Sequence, residues 1–412
     1  MHGAGNPRPV ALVGREQALS EVGDLLLAER LVTVTGPGGV GKTALGTELV
    51  RRTVPGRWPA ATRIDLAHLT DADALPRHLH RALRRLGSSG GGRAAGDSVA
   101  GDRADDDRAP GARPAEARAD ASRADGTPAA GAQPEGAGEV LPDGAGARGA
   151  PGGLGSGPAL LVVDTCEYLA EPCAKALPRL LDAHPGLRIL ATSRRAVTGS
   201  AHYRLGPLSA EDAIRLFQTG ARRWGAPRPA TLRTARQICV FLDGLPLAVH
   251  IAAGQLVRHS PAEVLDRVSR MESARCAAAG GGEGHGEVPS LLDLTVPGLP
   301  ERQRTLRDCL LATFRLCSGG ERLLWARCTV FPGSFDFKDA VQVCADERLP
   351  ADVLAVAFGG LEQQALIVPG DPGGVLYAMP WIPRAYGRRH LRELGEEREF
   401  LRRCLTWSLP ER

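Results

Sequence analysis

LVTVTGPGGVGKT, Leu31 to Thr43, joins a short β-branched run to a glycine-rich turn. Its second part, Gly36–Thr43, fits G-x-x-x-x-G-K-[ST], and it lies between an apolar strand and a helix expected over about 42–53, the context this motif requires. Phosphate oxygens need several converging backbone N–H groups, and only a glycine-rich loop lets the backbone come that close. The helix that follows turns its positive end toward the same anion. Lys42 reaches the β- and γ-phosphates in this reading, and the Thr43 hydroxyl takes Mg²⁺. The candidate nucleotide-binding residues of the loop are Gly36, Gly38, Gly39, Val40, Gly41, Lys42, Thr43 and Ala44. Lysine is rare here: Lys42, Lys175 and Lys338 are the only three among 51 basic residues, so its position in the motif is informative.

Moving outward, the text alternates strand-like and helix-like segments. Leu19, Val22, Leu25 and Leu26 give a helix over 16–29 by their spacing. TRIDLAHL (62–69) reads as a strand, and Leu75, Leu79, Leu83 and Leu86 mark the next helix. PALLVVD (158–164) is a continuous apolar run, the signature of a buried parallel strand. Asp164 closes it, where ligands bind in such sheets and where a carboxylate can hold Mg²⁺. Thr165, not an acid, follows Asp164, and the next carboxylate is Glu167. A clear general base to activate water is thus missing, which predicts slow hydrolysis. LRILATS (187–193) is a further strand, and Arg194 after it is placed to sense a γ-phosphate, with Arg195 as its rival. Lys42, Asp164 and Arg194 are thus the candidate catalytic residues, and Thr43 and Asp164 the candidate metal ligands.

Residues 88–157 differ in kind. They hold no aromatic residue, and their only large aliphatics are Val99, Val140, Leu141 and Leu154. Such a segment cannot bury enough apolar surface to offset its ordering entropy, so the expectation is a disordered insertion within one domain. Lengthening a loop from about 10 to about 70 residues costs only roughly 1.7 kcal/mol. Helices are expected at 209–224, 230–242, 245–258 and 261–271, then a Gly-rich break at 277–290. A mostly helical tract follows to about 405, with strand candidates at 365–369 and 374–379.

The chain has 412 residues and a net charge of +4, too mild to argue for nucleic acid or an anionic membrane. No apolar run is long enough to span a bilayer, and the N-terminus lacks a secretory h-region, so a cytoplasmic location is expected. Nine cysteines without a CxxC pair read as reduced thiols packed as small hydrophobes.

VGRE (13–16), GPGGVGKT, LLVVDTCEYL (160–169), RILATSRR (188–195), YRLGPLS (203–209) and GLPLAV (244–249) occur in that order. As a set they resemble the STAND class of signal-transduction ATPases. More narrowly, they are similar to the NB-ARC-like ATPase core of actinobacterial (LuxR/SARP-type) transcriptional regulators. The likeness covers about 10–271 and continues less strongly to about 390. It implies that Val13 and Arg15 lie near the adenine and ribose, that Pro246 packs against the base from a helical lid, and that Arg194 is the sensor. Residues 306–345 are similar to the winged-helix segment of that class, whose last helix carries an Arg and a Tyr two apart, matched by Arg384 and Tyr386. Pro380 and Pro383 stand there in place of helix formers. The class carries a further DNA-binding module and C-terminal helical repeats. Neither is legible here, so the expectation is a short form, a fragment or a stand-alone switch.

The expected fold is an α/β P-loop NTPase domain with a parallel sheet (10–208, carrying the insertion) behind a disordered N-terminus (1–9). A helical lid (209–276), a linker (277–299), a winged-helix-like domain (300–405) and a tail (406–412) follow. The expected function is an ATP/ADP switch using Mg²⁺, with self-association or a regulatory protein as partner. A transcription factor binding DNA through 300–405 and a nucleotide-dead scaffold are the alternatives. The seven arginines of 384–404, interleaved with four glutamates, read as a salt-bridged solvated face.

Overall fold

In the computed structural model, residues 12–53, 58–69, 71–88, 157–277, 305–371 and 373–408 are described. Five parallel strands form one sheet: β1 (Leu31–Thr35), β2 (Ala60–Asp65), β3 (Ala159–Asp164), β4 (Leu187–Thr192) and β5 (Ala201–Arg204), in the order β2-β3-β4-β1-β5. Side chains of a strand alternate between faces, and the core divides accordingly. Leu161, Val163, Ile189 and Ala191 face one apolar cluster with α3 (Leu75–Ser88) and α4 (Ala170–Ala183). Leu160, Val162, Val32, Val34 and Leu190 face the other, with α1 (Glu16–Ala28) and α2 (Lys42–Thr53). Both faces being covered, the central strands β1, β3 and β4 are buried at nearly every position, which is why they read as apolar or β-branched runs. The strand expected at 62–69 stops at Asp65. Its carboxylate accepts the Ala67 N–H at 3.0 Å and turns the chain out of the sheet.

Four helices follow: α5 (Ala210–Arg223), α6 (Leu232–Phe241), α7 (Pro246–Gln255) and α8 (Pro261–Ala277). Ser209 and Thr231 cap the first two through their hydroxyls. Helix α7 is buried from Leu247 to Ala253, as its apolar composition all round requires.

The C-terminal part holds α9 (Leu306–Leu316), α10 (Gly319–Cys328), α11 (Phe337–Cys344) and α12 (Ala351–Gln363), then an antiparallel pair, β6 (Val368–Pro369) and β7 (Tyr377–Ala378). Helices α13 (Trp381–Glu393) and α14 (Glu397–Ser408) end it. Capping boxes Ser318/Glu321 and Asp336/Asp339 start α10 and α11. Pro380 is the N-cap of α13 and Pro383 lies in its first turn. N–H groups there have no intrahelical acceptor, so neither proline interrupts the helix. One apolar cluster runs from Leu208 through Leu247, Cys309 and Trp325 to Cys404. The four middle helices and the C-terminal helices therefore share a core.

The expected disordered N-terminus (1–9) lies outside the described residues. So, apart from their edges, do the insertion (88–157), the linker (277–299) and the end of the tail (406–412). The eight cysteines whose side chains are described are buried free thiols. No helix among the described residues is long and apolar enough to cross a membrane.

Candidate functional site

The carboxyl ends of β1, β3 and β4 converge, and the chain that leaves each carries the residues singled out by sequence. Beyond β1 the glycine-rich loop needs its glycines. Gly36 has φ 148°, and a Cβ there would fall 2.5 Å from the Leu205 carbonyl oxygen. Gly39 has φ 80°, and a Cβ there would fall 2.8 Å from Leu247 Cβ. Any side chain would push the loop off β5 or off α7. Helix α2 begins at Lys42, with Thr43 and Ala44 in its first turn. Lys42 Nζ donates to the carbonyls of Gly36 (2.7 Å) and Pro37 (3.1 Å), folding back along its own loop. Burial pushes its ammonium down to about 8; the Glu167 charge opposes that shift, and Arg194 adds to it.

Two outer groups grip the loop. Arg15, buried, donates to the Val40 carbonyl at 3.0 Å. The Leu247 N–H, in the first turn of α7 beside Pro246, donates to the Gly39 carbonyl at 3.1 Å. Val13 packs, half-buried, on the cluster of the middle helices. Arg15 and the first turn of α7, which Pro246 begins, thus flank the loop, and Val13 packs on the cluster that includes α7.

Asp164 is 1% exposed. Its Oδ1 accepts from Thr43 Oγ1 at 3.0 Å and from Thr192 Oγ1, and its Oδ2 accepts from Arg63 Nη1 at 2.7 Å. Burial lifts its carboxyl above the ordinary value, against Thr192, Arg63 and Thr43, which favour the anion. Arg63 was not singled out by sequence. It lies on β2 opposite Val162, and only the β2–β3 pairing brings it to Asp164.

Arg194 is buried. Its Nε donates to Glu167 Oε1 at 3.3 Å, Nη1 to Thr313 Oγ1, and Nη2 to the Cys309 carbonyl at 3.5 Å. Arg195 turns the other way and pairs with Glu321. Neighbouring arginines at the end of β4 therefore hold α9 and α10. Helix α9 also lies on the loop itself, since a Cβ on Gly38 would fall 2.5 Å from Cys309 Sγ. Sequence reasoning missed Cys309, Thr313 and Glu321, because no motif ties them to residues more than 100 positions away.

Arg384 and Tyr386 lie elsewhere. Arg384 donates to the carbonyls of Phe331 and Met379, and the Tyr386 ring stacks on Trp325 at 5.4 Å. Both are inside the C-terminal helices. Arg388, Arg389, Arg392 and Arg403 form ion pairs with Glu397, Glu393, Glu397 and Glu399.

Among known proteins, no family model matches the sequence. The chain is 30% identical over 405 residues to the uncharacterized protein Rv0894 of Mycobacterium tuberculosis (strain H37Rv), covering 95% of this chain and 84% of that protein. It is 30% identical over 250 residues to a protein of the same strain named "Putative HTH-type transcriptional regulator Rv0890c", covering 59% of this chain and 26% of that one. Among solved structures, the Walker-type ATPase of Pyrococcus abyssi superposes with a TM-score of 0.50 at 12% identity, over 93% of this chain and 98% of that one. That superposition, with the parallel sheet and the loop after β1, gives the architecture; the identity to Rv0894 over nearly the whole length gives the kinship. The chain belongs to the family of the Mycobacterium tuberculosis protein Rv0894 and is built on the P-loop ATPase fold.

Proposed function

We propose that the chain is an ATP/ADP-binding switch of the STAND type, similar to the NB-ARC-like core of transcriptional regulators, with slow hydrolysis. The observation that carries this is the hold of the β4 end on α9. Arg194, which this reading assigns to the γ-phosphate, binds Thr313 and the Cys309 carbonyl of α9. One guanidinium cannot serve both fully. A triphosphate that recruits Arg194 weakens the hold on α9, whereas a diphosphate leaves it. Moving such a two-state equilibrium from 1:99 to 99:1 takes about 5.5 kcal/mol of differential binding. Two or three charge-assisted contacts of about 1.5–3 kcal/mol each suffice.

The units in this reading are a P-loop domain (10–208), a lid (209–276) and a winged-helix-like domain (300–405) with β6 and β7 as its wing. Adenine lies against Val13, Arg15 and Pro246. Thr43 and Asp164 are the oxygen donors that fit Mg²⁺, a hydroxyl and a carboxylate already in contact. The ion neutralises phosphate charge when bound. No group of three or more His, Cys, Asp or Glu among the described residues could hold a metal. This fits an ion whose remaining ligands are phosphates and water. The name of the Rv0890c relative supports a role in transcription. The internal ion pairs of α13 and α14 support a solvated face there over a DNA-binding one.

Denaturing the purified protein and resolving the released nucleotide by anion exchange tests the reading. Near-stoichiometric ADP is expected. A protein that carries none and binds neither added ATP nor ADP with Mg²⁺ returns it to the scaffold alternative.

Nucleotide binding should also be linked to protons. Lys42 titrates at about 8, and phosphates bound against it favour its charged form. Below pH 8 the group is already charged and affinity is flat. Above pH 8 binding must recruit a proton, and affinity falls by up to about tenfold per pH unit. Calorimetry near pH 9 in buffers of different ionisation enthalpy should reveal that proton uptake. Equal affinity across this range contradicts a phosphate contact from Lys42.

A further inference from the structure

The residue after Asp164 carries no acid, yet the backbone there is bent at a cost. Thr165, β-branched, has φ 66°, a left-handed conformation that is strained in an L-residue. It is held by two bonds. Its N–H donates to Thr192 Oγ1 at 3.1 Å and its hydroxyl to Asp65 Oδ1 at 3.0 Å. The bend starts a 3₁₀ turn, Cys166–Leu169, whose end residues Cys166 and Leu169 go into the core. Glu167, between them, is turned to Arg194.

The Glu167 side chain is 9% exposed, and its Oε1 accepts from Arg194 Nε at 3.3 Å. Its Oε2 is buried and has no hydrogen-bond partner. Two other buried side-chain atoms among the described residues share that condition, Trp224 Nε1 and Arg388 Nη2, and both are donors. A buried carboxylate oxygen left unpaired is costly, so a fold retains one where it has a use. The Glu167 charge bears on Lys42 and on the Cys309 thiol, the groups that lie on the loop.

Resting on the nucleotide reading above, we propose that Glu167 is a catalytic residue, the general base of ATP hydrolysis. Its Oε2 takes a proton from the attacking water as the water oxygen bonds to the γ-phosphorus. The bond from that phosphorus to the β–γ bridging oxygen breaks, and its electron pair leaves with ADP. Inorganic phosphate is the second product, and Glu167 returns its proton to solvent. The backbone bend at Thr165 supplies, two positions on, the acid that position 165 itself lacks. Arg194 Nε holds Oε1, so the guanidinium assigned to the γ-phosphate also aims the base.

Glu167→Gln tests this, since the amide oxygen still accepts from Arg194 but takes no proton. Affinity for Mg-ATP should stay within about threefold, while single-turnover phosphate release falls by about 10²–10³-fold. Loaded with ATP and later denatured, the variant should give up ATP where the wild type gives ADP. In the unaltered protein, phosphate release should rise tenfold per pH unit on the acid side as a carboxylate deprotonates, so the proposal does not depend on the variant folding. Several results overturn the assignment: release at the wild-type rate in Glu167→Gln, no acid limb in the wild type, or a wild type that binds ATP and forms no ADP. A loss of ATP affinity as large as the loss of turnover makes Glu167 a positioning residue for Arg194 and also overturns it. A wild type that binds no nucleotide at all is seen at the binding step, before any turnover. That result instead defeats the switch reading beneath it.

Discussion

Lys42→Ala lowers the affinity for Mg-ATP by at least about 100-fold and leaves the fold intact. The size follows from what the ammonium supplies to a polyphosphate. Two charge-assisted hydrogen bonds of about 1.5–3 kcal/mol each correspond to roughly 10²–10⁴ in Kd. The lack of a folding penalty follows from its present surroundings. Its hydrogen bonds go to the Gly36 and Pro37 carbonyls of its own loop. Burial disfavours its charge, which is why it titrates at about 8. A desolvated cation is a burden on the folded state at neutral pH, because the unfolded chain holds the proton more readily. Removing it relieves that burden while the loop keeps its bonds from Arg15 and Leu247. Titration with a fluorescent ATP analogue, beside thermal melts of both proteins, separates the two effects. Wild-type affinity in the variant would take the phosphate-binding role away from the loop.

The parts of the site that lie at strand ends were legible because the fold puts them there. A buried parallel strand is a run of apolar residues, and β1, β3 and β4 each are; the polar residues that end them, Asp164 and Thr192–Arg194, face the same edge. Glycines of the loop were legible because backbone geometry allows no other residue at Gly36 or Gly39. Contacts made by chain closure were not. Arg63 reaches Asp164 only because β2 pairs with β3 across a long insertion. Thr313 and Cys309 reach Arg194 only because α9 packs back over the sheet, and nothing in the local text of α9 distinguishes it from another amphipathic helix. The prolines of MPWIPRAYG show the converse. A rule about helix interiors made Pro380 and Pro383 look disruptive, and it does not apply at the N-cap or in the first turn, where they stand.

Arg327→Met should destabilise the C-terminal helices by about 3 kcal/mol, the cost of leaving the half-buried Asp346 carboxylate without its cation and Glu396 with Arg348 alone. Arg327 on α10 is fully buried. Its guanidinium donates to both oxygens of Asp346 (2.8 and 2.7 Å), to the Cys344 carbonyl (2.8 Å) and to Glu396 (3.1 Å). It also lies 4.3 Å from the Phe400 ring centroid. One side chain thus ties α10 to the end of α11 and to α14. The charges depend on it. Burial would raise the Asp346 carboxyl, yet the Arg327 hydrogen bonds and charge hold it below its ordinary value. Stability from that carboxylate is present above its unfolded pKa and is lost as pH falls through the lower, folded one. Calorimetry should find a transition lowered by about 12 °C or more at neutral pH, with the deficit shrinking toward acid as the orphaned carboxyls protonate. Neutralising the partners as well, in Arg327→Met with Asp346→Asn and Glu396→Gln, should recover much of the loss, because the one ion then left unpaired, Arg348, is exposed to water. If the triple variant is no better than the single one, the packing of the guanidinium on Phe400 carries the stability and the ion pairs do not. Helix α10 also bears Glu321, the partner of Arg195. Loosening it at Arg327 should weaken the grip on the β4 end and speed nucleotide release.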